Sequence, residues 1–369
     1  MELLDLLIEA GAEHIDWCAH LTDLERALAL RLSELDARDD FPPGLEDKIA
    51  PGEACAGVPA HQAALAVSLS RALAPTTRER EMAVRTSRHG ADLVVRPMTR
   101  PELDVAVEWA ADEGWNPGLK DADCFHRTDP DGFLMGFRDG EPVASISVVR
   151  YDGAFGFLGF YIVRPKFRGL GYGWRIWQDG MKRLSGRTIG LDGVVAQQAN
   201  YAKSGFVLAH RSVRYAGDVQ VEPPSDPRLE TIGSDLVPGV IAYDRPFFPT
   251  GREGFLQCWL APDCRKAVAL LEDGEIEGYG VIRACRTGHK IGPLFARSEA
   301  DADVLFRALA AVVQGGPIFL DVPEPNRAAV KLGGRYGFRP VFETARMYRG
   351  PEPSLPLDRI YGITTFELG

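Results

Sequence analysis

The sequence has little of what marks a membrane protein or a nucleic-acid-binding protein. No apolar run approaches the ~20 residues that span a bilayer, and the first residues, MELLDLLIEAG, lack the basic start of a secretory signal. Basic residues are in the minority, with 42 Lys and Arg against 52 Asp and Glu and a formal net charge of −10. Such a chain has no general affinity for nucleic acid or anionic lipid. We expect a cytoplasmic protein whose partners are neither nucleic acid nor membrane.

Cysteine is scarce and scattered. The six cysteines form no CxxC pair and have no zinc-like spacing, which predicts reduced thiols and no structural metal. Four residues near the start of the chain are candidate ligands of a metal ion: His14, Cys18, His20 and His61. We favour ordinary packing of these side chains, because no carboxylate partner is specified.

The length and composition predict a folded protein of several domains. The chain has 369 residues, of which 45% are apolar and 25% charged. The pattern of residues 1–88 predicts a helical extension, since leucines recur there every three or four residues. The segment VEPPSDP, residues 221–227, carries three prolines and predicts a linker. It separates two blocks, residues 91–218 and 229–369.

The two blocks look like copies of one unit, because short landmarks recur in the same order at a separation of about 132 residues. The paired landmarks are Asp139-Gly140-Glu141 with Asp273-Gly274-Glu275, Gly159 with Gly292, Leu191-Asp192 with Leu320-Asp321, Gly205-Phe206 with Gly337-Phe338, and Arg214-Tyr215-Ala216-Gly217 with Met347-Tyr348-Arg349-Gly350. Five pairs in order predict a duplicated fold.

The first block is predicted to be a mixed α/β (α+β) sheet flanked by helices. Apolar periodicity and turn residues set the order of its elements. We predict strands at 92–98, 132–138, 142–151, 155–164, 188–195 and 206–216, and helices at 100–113, 171–185 and 197–204.

The strongest chemical signal is YIVRPKFRGLGYGWRIW, residues 161–177, in which a strand leads into three alternating glycines and then a helix. Gly169, Gly171 and Gly173 let the chain curl so that its N–H groups converge, and the helix adds its positive N-terminal dipole. This arrangement predicts a pyrophosphate cradle. One stripe of the helix is assigned to the core: Trp174, Trp177, Met181 and Leu184.

Two motifs resemble those of the GNAT superfamily of acyl-CoA-dependent N-acyltransferases. The segment 168–173, RGLGYG, resembles the signature R/Q-x-x-G-x-G/A, and residues 201–206, YAKSGF, are similar to Y-x-x-x-G-F. The two motifs lie about 28 residues apart, in the expected order. The resemblance covers residues 91–218.

The resemblance implies acetyl-CoA as co-substrate, without a metal. It implies that Tyr201 protonates the departing coenzyme A thiolate and that an amide near Ile162 polarises the thioester carbonyl. The main chain of Tyr161, Ile162 and Val163 would hold the pantetheine arm. The residues implied to hold the pyrophosphate are Arg168, Gly169, Leu170, Gly171, Tyr172, Gly173 and Trp174.

The first block departs from the family pattern in two places. Val194 stands where the family often has an Asn whose side chain contacts coenzyme A. The candidates to replace that contact are Gln197, Gln198 and Asn200. The predicted fourth strand has no Glu to act as general base. The alternatives for that role, each more readily explained as structural, are Asp192, His210 and Asp123.

The second block reads as a degenerate GNAT domain. Its phosphate loop is replaced by RSEADADVL, in which acidic residues oppose a diphosphate, and Gly333 stands in place of the catalytic tyrosine. It nevertheless keeps N-x-x-A at Asn326–Ala329. Five aromatic residues are candidates for the wall of an acceptor site, although core packing is the favoured interpretation for each: Tyr243, Phe247, Phe248, Phe255 and Trp259.

We expect a tandem-GNAT N-acetyltransferase that moves an acetyl group from acetyl-CoA to a primary amine by direct attack. The acceptor, a small molecule or a peptide amine, and the oligomeric state are left open, as is O-acylation. The alternative is a non-catalytic acyl-CoA sensor, which would need the cradle but not Tyr201.

Overall fold

A computed structural model describes residues 92–261, 265–313 and 315–369. The predicted helical extension and the four residues of the metal interpretation lie outside these ranges. Below, the first half is residues 92–217 and the second half is residues 229–369.

The first half follows the predicted order of strands and helices, with one helix added. Its elements are β1 (Val94–Pro97), α1 (Arg100–Asp112), α2 (Asp121–Thr128), β2 (Phe133–Arg138), β3 (Glu141–Arg150), β4 (Phe155–Val163), α3 (Tyr172–Arg183), β5 (Thr188–Val194), α4 (Gln198–Lys203) and β6 (Val207–Gly217). Helix α2 escapes periodicity analysis because it is only eight residues long and largely polar, DADCFHRT.

The second half repeats this order. Its elements are β7 (Leu229–Thr231), α5 (Val237–Asp244), α6 (Glu253–Trp259), β8 (Arg265–Glu272), β9 (Glu275–Ala284), β10 (His289–Ala296), α7 (Glu299–Ala310), β11 (Ile318–Pro323), α8 (Arg327–Arg335), β12 (Arg339–Arg349) and β13 (Ile360–Gly362).

Equivalent turns confirm the duplication. Asp139 and Gly140 join β2 to β3 with φ of 50° and 81°, and Asp273 and Gly274 join β8 to β9 with φ of 53° and 84°. Two consecutive left-handed residues make the tight hairpin turn whose twist matches that of the strands. Each half also contains a parallel pair in an otherwise antiparallel sheet, β4 with β5 and β10 with β11.

The two halves exchange their last long strands. The sheet order is β1-β2-β3-β4-β5-β12-β6-β11-β10-β9-β8-β7, and β13 pairs with β10. Strand β12 of the second half therefore lies against β5 of the first, and β6 of the first half lies against β11 of the second. The prediction of a mixed sheet flanked by helices is confirmed, but the two expected sheets form one continuous sheet.

Two buried ion pairs lie at the exchange. Arg214 on β6 is directly opposite Asp321 on β11, with Nε–Oδ1 and Nη2–Oδ2 distances of 2.6 and 2.9 Å. Arg346 on β12 is likewise opposite Asp192 on β5, at 2.9 and 2.5 Å. Both pairs are bidentate and buried, so each guanidinium fixes its strand to the other half of the molecule.

Helix α3 is held close to the sheet by a glycine. A Cβ atom on Gly180 would lie 2.9 Å from Cγ1 of Val148 on β3, so only glycine allows this approach. The buried face includes Ile176 and Trp177, and burying such a side chain stabilises the fold by about 1.5–3 kcal/mol. This contact holds the C-terminal part of α3 against β3.

The expectation of reduced thiols is wrong for one pair of cysteines. Cys124 on α2 and Cys258 on α6 form a disulfide with their Cα atoms 5.4 Å apart. They are 134 residues apart in sequence, and long-range pairing of this kind is not readable from spacing. Cys285 is free and buried, and burial raises the pKa of its thiol.

The last ten residues, 360–369, form a buried segment. Its first part, β13, pairs antiparallel with β10, and the amide of Ile363 donates to the carbonyl of Asp321 on β11 at 2.8 Å. The segment therefore fills the opening where β10 and β11 diverge. It then continues to the first half.

The ion pairs predict a specific loss of stability. Arg214→Met should lower the free energy of unfolding by about 3–5 kcal/mol, because Asp321 is left buried without its bidentate partner. Arg211→Met is the control on the same strand; it removes a partly exposed pair with Glu343 and should cost at most about 1 kcal/mol. Denaturant unfolding followed by circular dichroism measures both, and equal losses would contradict the assignment.

Candidate active site

A cavity lies where β4 and β5 diverge. The two strands pair from Phe155 to Leu158 on β4, and the last partner on β5 is Leu191. Beyond that point a cavity of about 570 Å³ opens between them. Among the described residues, no strand pairs with the main chain of β4 from Gly159 onward on this side. This main chain is therefore free to bind a ligand in the way a strand would.

A bulge in β4 shapes this edge. Phe160 is left-handed, with φ of 46°, and the register with β3 shifts between Ser145 and Ser147. The hydroxyl of Ser145 donates to the Phe160 carbonyl at 2.8 Å and fixes the bulge. Bulges of this kind redirect a strand next to a site.

The predicted pantetheine residues follow the bulge. Tyr161, Ile162 and Val163 all line the cavity. Burial raises the pKa of Tyr161 to about 12. Its hydroxyl would lie 2.8 Å from a Cβ atom on Gly173, so the first turn of α3 packs closely on β4.

The glycine loop adopts the conformation that its sequence predicts. Gly169 and Gly171 have φ of 76° and 84°, and Gly171 is the N-cap of α3. The N–H groups of the first helical turn have no partner within an α-helix. Five of the predicted pyrophosphate residues line the cavity: Arg168, Gly169, Gly171, Gly173 and Trp174.

The other side chains of the loop differ in position. Trp174 lines the cavity rim and is 59% exposed, so its assignment to the core was wrong, whereas Trp177 is buried as expected. Tyr172 lies beneath the loop with its ring 6.2 Å from that of Phe167, and neither Tyr172 nor Leu170 lines the cavity.

Arg168 is held at the cavity by two contacts. Its Nε donates to the Val163 carbonyl at 2.8 Å, and its Nη2 pairs with the Glu113 carboxylate. The side chain is half exposed. Its guanidinium thus stands beside the glycine loop with further N–H groups to offer.

Tyr201 lies at the inner end of the cavity. Its ring stacks on Trp177 at 5.7 Å and packs against Gly193 of β5, which has no room for a side chain. No hydrogen bond to its hydroxyl occurs within the described ranges. Burial, with a smaller contribution from Tyr161, raises the pKa of Tyr201 well above its ordinary value.

Each of the three candidates for general base either pairs with an arginine or lies away from the cavity. Asp192 lines the cavity, but both carboxylate oxygens bind Arg346; burial raises its pKa against the effect of that guanidinium. His210 does not line the cavity, and burial lowers its pKa to about 4. Asp123 binds Arg100 at the surface.

Of the substitutes for the family's Asn, only one reaches the cavity. Gln197 lines it together with Val194, and its side-chain oxygen accepts a hydrogen bond from Asn200 at 2.7 Å. Gln198 and Asn200 are not among the lining residues.

The wall opposite β4 comes from residues that motif analysis missed. Phe342 and Thr344 arrive on β12 through the strand exchange, and Phe366 and Glu367 arrive on the final segment. Trp115 completes this wall. No short-range pattern links these positions to the glycine loop, which is why sequence analysis did not find them.

The aromatic set proposed for an acceptor wall does not line this cavity, and its members pack in the core instead. Phe255 stacks on Trp259 at 4.8 Å, and Phe247 stacks on Phe295 at 4.4 Å.

In the second half the equivalent opening, between β10 and β11, is occupied by β13. Asn326 caps α8 by accepting from the Ala329 amide at 3.1 Å, and it donates to the carbonyl of Ile360 on β13 at 2.9 Å. The retained N-x-x-A motif therefore holds β13. Of the acidic residues at α7, Asp301 pairs with Arg228 at 3.0 Å.

No helix in the described ranges has the length and apolarity to cross a bilayer. No group of three or more His, Cys, Asp or Glu side chains in those ranges is arranged to hold a metal ion.

Comparisons with known proteins agree with this geometry. Residues 99–206 match the model of the acetyltransferase (GNAT) family, and residues 240–362 match that of an acetyltransferase (GNAT) domain. The holothin acyltransferase of Pseudoalteromonas sp. (strain SANK 73390) is 35% identical over 277 residues, which is 74% of this chain and 94% of that protein. An uncharacterized N-acetyltransferase of Bacillus subtilis, YitH, is 24% identical over 64% of this chain and 86% of its own length.

Solved structures share the fold. A crystal structure from Pyrococcus horikoshii has a TM-score of 0.64 at 22% identity, covering 75% of this chain and 96% of its own. A tandem GNAT protein from the clavulanic acid biosynthesis pathway has a TM-score of 0.51 at 14% identity, covering 70% and 99%. With two GNAT matches and a relative of this similarity, the chain belongs to the GNAT superfamily and is an acyltransferase.

Proposed function

We propose that the first half transfers an acetyl group from acetyl-CoA to the primary amine of a small molecule. The observation that carries this proposal is the contrast between the two openings of the sheet. In the second half β13 fills the opening, whereas in the first half the opening is a cavity lined by the glycine loop and by Tyr201.

The residues of the cavity fit the parts of an acyl-CoA. The glycine loop and the first turn of α3 offer N–H groups to a diphosphate, and Arg168 adds a positive charge beside them. The unpaired main chain of 161–163 suits the amide-bearing pantetheine arm. A Cβ atom on Gly169 would meet nothing within 4 Å, so the loop has open space at its surface.

The reaction needs a polarised carbonyl and a proton for the leaving group. The amine nitrogen bonds to the acyl carbon while the bond from that carbon to sulfur breaks. A main-chain N–H near Ile162 stabilises the charge on the carbonyl oxygen, and such a donor is worth about 3 kcal/mol. Tyr201 gives its proton to the thiolate. Its raised pKa keeps the phenol protonated at neutral pH.

The acceptor end favours a compact amine. The aromatic side chains of Trp115, Phe342 and Phe366 line it, and it is bounded by the final segment of the chain. The relative that covers most of this chain is named a holothin acyltransferase. We therefore propose holothin, or an amine of similar size, as the acceptor.

An acceptor panel tests this function. Release of free coenzyme A thiol from acetyl-CoA is measured with holothin, simple amines and a lysine peptide. We expect turnover with holothin to exceed that with the peptide, because the aromatic side chains at this end offer few partners to a long polar chain. Binding of acetyl-CoA without turnover of any amine would favour the sensor instead.

The cradle predicts one coenzyme A site per chain. Gly171→Val should abolish coenzyme A binding, because φ of 84° strains a β-branched residue and its side chain enters the cradle. Gly186→Val is the matched control, with φ of 77° in a turn outside the cavity. Isothermal calorimetry should give one site for the parent and for the control; two equivalent sites in the parent would rule out this arrangement.

Tyr201→Phe tests the proton donor. The variant keeps the ring stacked on Trp177, so coenzyme A affinity should change little, while kcat should fall on the order of a hundredfold. Because the pKa of Tyr201 is raised, loss of its proton should not limit the parent rate below pH 10. Tyr336→Phe, in the second half, is the control. A parent-like kcat in Tyr201→Phe would assign the tyrosine to packing alone.

A further inference from the structure

One loop of the first half, residues 113–120, connects α1 to α2 and carries Trp115 into the cavity wall. Trp115 is half-buried, and its carbonyl accepts a hydrogen bond from Nη1 of the buried Arg214 at 2.6 Å. The residues on either side of it, Gly114 and Asn116, are left-handed, with φ of 81° and 49°. The direction of the Trp115 side chain therefore depends on two sharp changes in the direction of the chain.

Asn116 is joined to the second half by two hydrogen bonds to a single residue. Its Nδ2 donates to the Thr287 carbonyl at 2.9 Å, and its Oδ1 accepts from the Thr287 amide at 3.2 Å. Thr287 lies in the hairpin, residues 285–288, that connects β9 to β10. A side-chain amide that binds both main-chain groups of one residue reproduces the hydrogen bonds of an antiparallel strand pair. These bonds fix both the position and the orientation of Asn116.

The same two hydrogen bonds stabilise the backbone conformation of Asn116. A left-handed conformation is unfavourable for most residues other than glycine, and Asn adopts it most readily when its side chain forms a local hydrogen bond. Glycine at this position would allow the same φ, but it has no side chain to bind Thr287 and would not enforce that φ. A change to glycine therefore removes the contact with the second half without straining the loop.

Other contacts between the hairpin and the first half lie further from the tryptophan. On α1, Asp112 pairs with Arg286 at 3.1 Å, but both side chains are exposed, and such a pair adds little stability. Beyond the loop's turn, the Leu119 amide donates to the Ala284 carbonyl at 3.0 Å. Asn116 is thus the contact with the hairpin that directly adjoins the cavity wall.

The aromatic residues of the wall are held crosswise by the two halves. Phe342 and Phe366 belong to the second half, and the Arg214 Cζ atom lies 5.7 and 4.8 Å from their ring centroids. Arg214 belongs to the first half, as does Trp115, whose loop is held by Thr287 of the second half. Each half therefore fixes the aromatic side chains that the other half supplies.

We propose that Asn116 is a positioning residue that holds Trp115 in place for the acceptor by binding Thr287; this inference rests on the proposed acyl transfer. With both hydrogen bonds formed, the turn after Trp115 has one conformation, and the indole contacts the acceptor without further ordering. Without them the loop must be ordered when the acceptor binds, which lowers the affinity. The second half thereby controls acceptor binding through a residue that touches no reacting atom.

Asn116→Gly tests this role. Thiol release is measured with saturating acetyl-CoA and varied amounts of the amine that the parent uses. We expect KM for the amine to rise about tenfold, because two hydrogen bonds that order the loop are lost. The value of kcat should stay within about twofold of the parent, since Tyr201 is untouched. Coenzyme A affinity, measured by calorimetry, should not change, because Arg168 keeps its contacts with Val163 and Glu113.

Asp139→Gly is the matched control. Asp139 is also left-handed, with φ of 50°, and lies in the hairpin between β2 and β3, so its replacement should leave KM and kcat unchanged. A second comparison uses Trp115→Ala, which should raise KM at least as much as Asn116→Gly does. In the double variant Asn116→Gly should add no further rise, because the side chain that it positions is absent.

The outcomes separate this role from the proposed function. With an active parent, an unchanged KM in Asn116→Gly overturns the role of Asn116 and leaves the proposed function standing. An equal rise in KM with and without Trp115 does the same.

A readout without turnover is the indole N–H signal of Trp115 in an NMR spectrum, identified as the signal that Trp115→Phe removes. It should shift or broaden in Asn116→Gly and stay in place in Asp139→Gly. An unchanged signal in Asn116→Gly overturns the positioning role whether or not the parent is active. A parent that turns over no amine overturns the proposed function, and the acceptor role of Trp115 with it.

Discussion

The two buried arginine–aspartate pairs are the constraint on which the molecule depends. Each joins an exchanged strand to the opposite half, Arg214 to Asp321 and Arg346 to Asp192, at equivalent positions of the duplicated fold. A buried charge that does not meet its partner lowers the stability of the fold. A shift in strand register between the halves would separate these charges, so it would be strongly destabilising. Strand β12, which carries part of the cavity wall, is thereby placed beside β5.

The second half has become a support for the first. It has lost the glycine loop, and its own opening holds β13, secured by Asn326 and by the Asp321 carbonyl. The residues that follow β13 then reach the active cavity. In the first half the opening of the sheet is free to bind a pantetheine arm. In the second half the equivalent opening holds β13, and the residues after β13 complete the wall of the cavity in the first half.

Local patterns predicted the local structure well. The strands and helices of the first half, the glycine loop and the position of Tyr201 depend on neighbours within about 30 residues. The strand exchange, the disulfide and Glu367 depend on contacts across 100 residues or more, for which a single sequence carries no periodic signal. Core packing, the favoured interpretation of the aromatic set, is confirmed, but the aromatic residues that do line the cavity were not found, because core and wall residues have the same local pattern.

The strand exchange also sets an order of events during synthesis. Strand β5 pairs with β4 on one side, but its other neighbour, β12, is made much later. The Asp192–Arg346 contact between β5 and β12 joins residues 154 positions apart. A ribosome-bound first half therefore has an unpaired sheet edge while the second half is being made, and such edges are prone to pair with other chains. We expect folding of this protein to be slow, because these non-local contacts form only after both halves have been made.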